Sequence, residues 1–339
     1  MRWLLFAVLL PLLAPLAARA QAPDPTLLDA ARKEGHVMLY GEVITPTQRA
    51  IKTAFEKKYP GIAVDLLYLS GAPMMNRIMS EQGAGRFNAD VLMLDVLRMP
   101  AVIEKGYVAQ YLSTEASHYD AKWQSNPPGY WIQNHLYLYG IMYNKAAVPP
   151  DQVPTSYEDL LKPQWAGKLT MVTPVANELT LYFMAGLIRD MGEARAFDFF
   201  RALAAQKPLI FGPGGMRVSQ GVANGEFPLG LGFIAHVFTV GGGENGPMAF
   251  ANINPIYVVS GPGTAVFAHA PHPNAARLFA DFMNSREAQE LIAGFGYYST
   301  YNGVQQSKPM RGITISTPPY PTGEAAEALR QKLAAVFGQ

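Results

Sequence analysis

The chain contains no cysteine in its 339 residues, which excludes disulfides, thiolate metal sites, a lipidated N-terminal cysteine and a cysteine nucleophile. Blocks of charge are missing too. The 27 Lys and Arg stand against 26 Asp and Glu, net charge +1, and no basic run is longer than Lys57-Lys58. Neither nucleic acid nor an acidic membrane surface is therefore expected as a partner. Beyond the N-terminus, no apolar run approaches the roughly 20 residues that a membrane-spanning helix needs. Also absent are a Gly-x-Ser-x-Gly elbow, a phosphate-binding Walker loop and a His-Glu-x-x-His helix. The glycines between Gly212 and Gly215 lack dinucleotide-fingerprint spacing. No cofactor, no metal and no enzymatic role is expected on these grounds. A Ser-His-Asp set drawn from distant positions stays open, because such triads are recognised by geometry.

What is present begins at the N-terminus. Arg2 precedes an apolar run from Trp3 to Ala18 that ends at Ala18-Arg19-Ala20, the pattern of a secretory leader cleaved before Gln21. Pro11 and Pro15 interrupt this run, which makes a retained anchor the weaker reading. The expected mature chain is exported, and its length suggests two domains.

After the leader, apolar periodicity alternates between strand and helix. His36 to Tyr40 predicts a buried strand, Thr47 to Tyr59 a helix stopped by Pro60-Gly61, and Ile62 to Leu69 a second strand. A helix over Met74 to Gln82 and a strand over Asp90 to Leu94 repeat the unit. Such alternation implies an α/β fold with mostly parallel sheets flanked by helices, and ligands bind beyond the carboxyl ends of the strands in such sheets. Here those ends are Gly41-Glu42, Ser70-Gly71 and Asp95-Val96. Tyr130 to Tyr143 predicts one long crossing strand, followed by a second α/β unit with helices over Asn177 to Asp190 and Glu193 to Ala204. Thr155-Ser156-Tyr157-Glu158 resembles a capping box. Asn254 to Val259 is the expected return crossing, Ala265 to His269 a strand of the first lobe, and Gly323 to Phe337 a final amphipathic helix.

Several phrases together resemble the periplasmic solute-binding proteins of ABC importers, in the branch that includes the ferric-iron binders. They are Ala31 to Tyr40, Phe55 to Ile62, Asn88 to Asp95, Val222 to Glu226 and His272 to Gln289, in order across nearly the whole mature chain. The resemblance implies the two-lobe type II periplasmic binding fold, joined by crossing hinge strands. Expected boundaries are 21–139 with 258–298 for lobe 1 and 140–257 with 299–339 for lobe 2. It further implies a small-molecule ligand held between the lobes, delivery to an inner-membrane ABC permease, and a monomer. A periplasmic sensor partner would share the fold. The ferric branch holds its metal with an adjacent tyrosine pair from the second lobe, aided by a His and a carboxylate from the first. This chain departs from that pattern: the corresponding stretch reads Gly232 to Phe238 without tyrosine, and Glu42-Val43-Ile44 offers no His. Only Asp95 stands where the carboxylate would be, a thin set for a hard cation that favours anionic oxygen. The pair Tyr297-Tyr298 is read as core or hinge packing.

Without a metal, the cleft needs donors converging from both lobes. Helix starts supply unpaired N–H groups and a favourable dipole. In the first lobe the candidates are Gly41, Glu42 and Thr45, then Ser70 and Gly71, where glycine lets backbone approach a ligand. In the second they are Thr173 and Asn177 before one helix, and Gly214 with Arg217 at another. A guanidinium beside a glycine-rich helix start suits a carboxylate or phosphate. Arg98 is its counterpart in the first lobe. The expected solute is small, polar and anionic, organic or phosphorylated, although Asp95 and Glu42 could receive an amine and make it zwitterionic. His236 is a cleft-wall or core candidate. His269 and His272 are read as the flank of a helix start rather than a metal pair, since the sequence places no third His beside them. Tyr137, Tyr139 and Tyr143 alternate on the crossing strand and could supply an aromatic wall.

Overall fold

A computed structural model describes residues 24–42, 45–69, 71–212 and 214–338. The leader, Ser70 and the Val43-Ile44 step lie outside the described residues, and of Thr45 only the backbone is described, as the first residue of the helix Thr45–Lys58.

The predicted alternation yields two sheets. In the first, the spatial order is Ala63–Tyr68, His36–Gly41, Val91–Asp95, Pro262–Val266 and Ile132–Gln133. Its first three strands are parallel, and Pro262–Val266 runs antiparallel to both neighbours. Val91–Asp95 is buried at every residue, as expected of a parallel strand covered by helices on both faces. The second sheet is built around His135–Asn144, which pairs with Ile256–Ser260 on one side and Leu229–Phe233 on the other. Leu169–Val172 and Leu209–Phe211 extend it in parallel. Each sheet has its own core. Phe55, Phe279 and Phe282 meet edge to face in the first lobe, whereas Phe183, Tyr157 and Tyr257 do so in the second.

The long crossing strand differs from its prediction. It breaks at Asn134, whose buried amide donates to Thr264 Oγ1 at 2.7 Å, so Ile132–Gln133 belongs to the first sheet and His135–Asn144 to the second. The polar trio Gln133-Asn134-His135 marks the break, but it lies inside an otherwise aromatic and aliphatic run that local pattern reads as one strand. The return crossing is likewise split at Gly261, between Ile256–Ser260 and Pro262–Val266. A Cβ at Gly261 would collide with the His135 carbonyl, which requires glycine where the two crossings touch. The first-lobe strand expected over Ala265 to His269 thus begins earlier. The capping box is also shifted by one residue: Ser156 Oγ accepts from the Asp159 N–H at 3.2 Å, and Asp159 accepts from the Ser156 N–H at 3.1 Å.

Candidate ligand cleft

A cleft of about 950 Å³ is lined by residues of both lobes. Glu42, Gly71, Asp95 and Arg98 line it from the first lobe, and Asn177, Gly214 and His236 from the second, so seven of the sequence-derived candidates come together.

Glu42 follows the strand His36–Gly41 directly. Its Oε1 accepts the Gly71 N–H and its Oε2 the Asp95 N–H, each at 2.7 Å, tying three strand ends together. Asp95 is similarly committed. Its Oδ1 accepts from the Leu97 N–H at 2.9 Å, and its Oδ2 from Ser260 Oγ at 2.5 Å on the return crossing. Burial raises the pKa of both carboxyls. Their oxygens are thus engaged by the protein before any solute arrives.

Arg98 is differently placed. It lies just before the short helix Met99–Glu104, 3.8 Å from Asp95, and its guanidinium reaches the other lobe to bond Glu178 at 2.8 Å. Glu178 opens the helix Glu178–Met191, whose N-cap is Asn177 with Oδ1 accepting the Thr180 N–H at 2.9 Å. Thr173 Oγ1 accepts from the Val175 N–H at 3.2 Å, shaping the turn before that cap. His236 is 6 % exposed, its Nδ1 lies 2.5 Å from Ser219 Oγ, and burial pushes its pKa down to about 4. At neutral pH it is a neutral imidazole on the cleft wall.

Aromatic rings complete the site. Tyr137, Phe233 and Tyr297 line the cleft where the lobes join, with Tyr137 5.4 Å from Phe233 and 6.1 Å from Tyr297 between ring centres. Tyr68 contributes from the first lobe and is 43 % exposed. Burial first, then the proximity of Tyr297, Glu42, Asp95 and Tyr68, raises the Tyr137 pKa far above its ordinary value. Tyr297, expected to serve packing alone, is both buried and part of the cleft wall.

Three candidates are not cleft residues. Arg217 lays its guanidinium against the touching rings of Phe211 and Phe227, 5.1 and 5.2 Å from their centres, and pairs with Glu226. The glycine-rich helix start is visible in sequence, but the aromatic pair and the Glu226 carboxylate that hold the side chain away from the cleft are assembled only by the fold. Gly41 sits behind the cleft, where a Cβ would meet the Gln48 amide, and Thr173 supports the wall without lining it. Conversely, sequence reasoning missed Glu178 and Arg330. The latter comes from the C-terminal helix Gly323–Phe337, and amphipathic periodicity does not signal that one residue of its polar face reaches a cleft.

Two α/β lobes with a shared cleft, bridged by paired crossings, define a solute receptor of the periplasmic binding class. Residues 88–312 match the bacterial extracellular solute-binding proteins, and the chain belongs to that family. Iron uptake protein A1 of Synechocystis is 26 % identical over 310 residues, covering 86 % of this chain and 83 % of that protein. Iron-bound HitA from Pseudomonas aeruginosa superposes with a TM-score of 0.69 at 23 % identity, covering 88 % of this chain and 99 % of HitA. AfuA from Actinobacillus pleuropneumoniae, solved with exogenous fructose-6-phosphate, gives 0.63 at 18 % identity, covering 90 % and 97 %. The chain is the solute-binding component of the ABC importer class, in the family that includes the ferric binders. Among the described residues no helix is long and apolar enough to cross a membrane.

Proposed function

We propose that this chain is a periplasmic receptor, released by cleavage after Ala20, that carries a small anionic organic or phosphorylated solute to an inner-membrane permease as a monomer and without chemical turnover. The observation that carries the reading is the state of the charged groups in the cleft. Glu42 and Asp95 are occupied by N–H and O–H donors of the protein itself, whereas among the described residues Arg98 is held by side-chain carboxylates, chiefly Glu178 across the cleft. An anionic group can replace Glu178 on the guanidinium, and charge-assisted bonds of this kind are the strong ones. Arg330 adds a second cation. The Asn177 helix start faces the same space with its dipole. AfuA, solved with a phosphorylated sugar, lends support from within the same fold.

Closure is proposed to bend at Gln133–His135 and Ser260–Pro262. A ligand bonded to both lobes selects the closed arrangement because the open one cannot offer both sets of contacts. Calorimetry of the ligand-stripped protein with sugar phosphates, phosphonates and carboxylates tests the reading. Saturable binding that Arg98→Ala weakens supports it, and binding confined to cationic or neutral solutes contradicts it.

A second reading, ferric iron, is favoured by the phenols of Tyr68, Tyr137 and Tyr297 along one cleft and by the relationship to iron uptake protein A1. Phenolate suits a hard cation. It would give a visible phenolate-to-iron charge-transfer band on addition of ferric citrate, which an anion receptor lacks.

A further inference from the structure

The strands that end at the cleft begin on the opposite edge of the first sheet, and a second cluster of ligating groups lies there. His36 opens the strand His36–Gly41, Asp90 directly precedes Val91–Asp95, and His272 is the N-cap of the helix Pro273–Met283. One ligand atom from each of the three lies within 4.8 Å of the others. The six-residue strand between His36 and the cleft spans roughly 17 Å at about 3.3 Å per residue, so this is a separate place on the molecule. None of the three lines the cleft.

We propose that His36, Asp90 and His272 form a binding site for a borderline divalent cation of the Zn²⁺, Cu²⁺ and Ni²⁺ class. Two imidazoles and one carboxylate are the donor set that these ions favour, and hard Fe³⁺, Ca²⁺ or Mg²⁺ would prefer oxygen throughout. Asp90 is the most firmly placed of the three. It is 0 % exposed, and its Oδ1 accepts the His272 N–H and its Oδ2 the Met38 N–H, both at 2.7 Å, so its position is fixed by the backbone while Oδ1 keeps a second lone pair for a cation. Among the described residues no Lys or Arg pairs with it. Its side-chain partner is the His272 imidazole, with Nδ1 3.0 Å from Oδ2. A buried carboxylate of this kind gains a full counter-charge from a cation.

The imidazoles are held as ligands usually are. The His36 and His272 rings meet edge on with centres 5.0 Å apart, and Asp65 lies 2.9 Å from His36 Nε2. A carboxylate beside one ring nitrogen is the outer support that orients a ligating imidazole through the other. The two side chains are 33 % and 30 % exposed, which leaves an entry path and room for water in the remaining coordination positions. Bringing atoms from within 4.8 Å to the spacing set by metal bonds of about 2.0–2.1 Å asks the two imidazoles to move by roughly an ångström, within reach of partly exposed side chains. Sequence spacing hid the cluster because His36 and His272 are far apart in the chain, and the sheet alone unites them. The cluster shares no residue with the cleft.

Titration of the untagged, chelator-stripped protein with Zn²⁺ by calorimetry, and with Co²⁺ by absorption spectroscopy, tests the site. The expected result is one equivalent bound per chain and a Co²⁺ ligand-field spectrum of imidazole coordination. His36→Ala and His272→Gln should each weaken binding at least tenfold, with circular dichroism unchanged. His36→Ala keeps the test decisive if His272→Gln disturbs its helix, because His36 caps nothing. Absence of stoichiometric Zn²⁺ binding at millimolar metal, or equal affinity in wild type and His36→Ala, would overturn the proposal. A parallel titration of Arg98→Ala, with unchanged Zn²⁺ affinity expected, keeps this result separate from the fate of the cleft reading.

Discussion

Arg98 and Arg217 show what a single residue's surroundings decide. Both precede or open a helix near a strand end, yet one faces the cleft and the other lies against a pair of phenyl rings and Glu226. Arg98→Ala should weaken binding of an anionic solute at least tenfold, about 1.4 kcal/mol or more, since hydrogen bonds to charged groups contribute about 1.5–3 kcal/mol. Arg217→Ala should leave affinity unchanged, with both measured by calorimetry against the same solute. Glu42 and Asp95 were legible as cleft residues because they terminate strands, but their engagement by backbone donors was not, since it depends on three strand ends meeting. The imidazoles carry a pH prediction. Burial holds His236 near pKa 4 and His135 near 3, against about 6.5 when unfolded. The unfolded chain therefore binds more protons below about pH 6.5, and these groups make stability fall as pH drops from there toward their folded values. Glu42 and Asp95, with raised pKa values, act in the opposite direction. The destabilisation caused by His236→Gln should accordingly be smaller at pH 4.5 than at pH 7 in urea unfolding. An equal difference at both would mean that the imidazole is not held neutral.

Among the elements, the helix Glu178–Met191 links packing to the site. Its N-terminus presents Asn177 and Glu178 to the cleft, while its middle lies against Tyr257 on the return crossing at Gly186. A Cβ at Gly186 would sit 2.5 Å from the Tyr257 ring. Alanine's better helix propensity contributes about 1 kcal/mol, but overpacking a filled core costs about 1–3 kcal/mol. Gly186→Ala should therefore lower the melting temperature by a few degrees, and a rise would show that the core yields there. This helix was placed to within a residue because its apolar run from Leu179 to Ile188 is long and starts just after the Asn177 cap, and Thr180 to Leu187 are buried without a break. The crossing strands were less legible: Asn134 and Gly261 break them through contacts between segments over a hundred residues apart, and local pattern carries no trace of such contacts. The expected strand at Ala265 to His269 was displaced for the same reason, because pairing with Val91–Asp95 selects Pro262–Val266.

At the scale of the whole molecule, the alternation of strands and helices and the ordered family phrases made the two-lobe architecture readable, while the ligand was not. Cleft chemistry depends on which side chains point inward, and Arg330, from a helix at the far end of the chain, is the clearest case. Bending at the two crossings should make the molecule more compact on binding, seen as a smaller radius of gyration in small-angle scattering; a saturating solute that leaves it unchanged would argue against closure. The central claim, an anion receptor rather than an iron carrier, is tested most directly by a thermal-shift series on ligand-stripped, chelator-treated protein against sugar phosphates, phosphonates, carboxylates and ferric citrate. A ligand at about 100 times its dissociation constant stabilises the fold by roughly 2.7 kcal/mol, a readily visible shift. The account predicts that shift with one anionic organic class and its loss in Arg98→Ala. A shift with ferric iron alone, accompanied by a visible charge-transfer band, would contradict it.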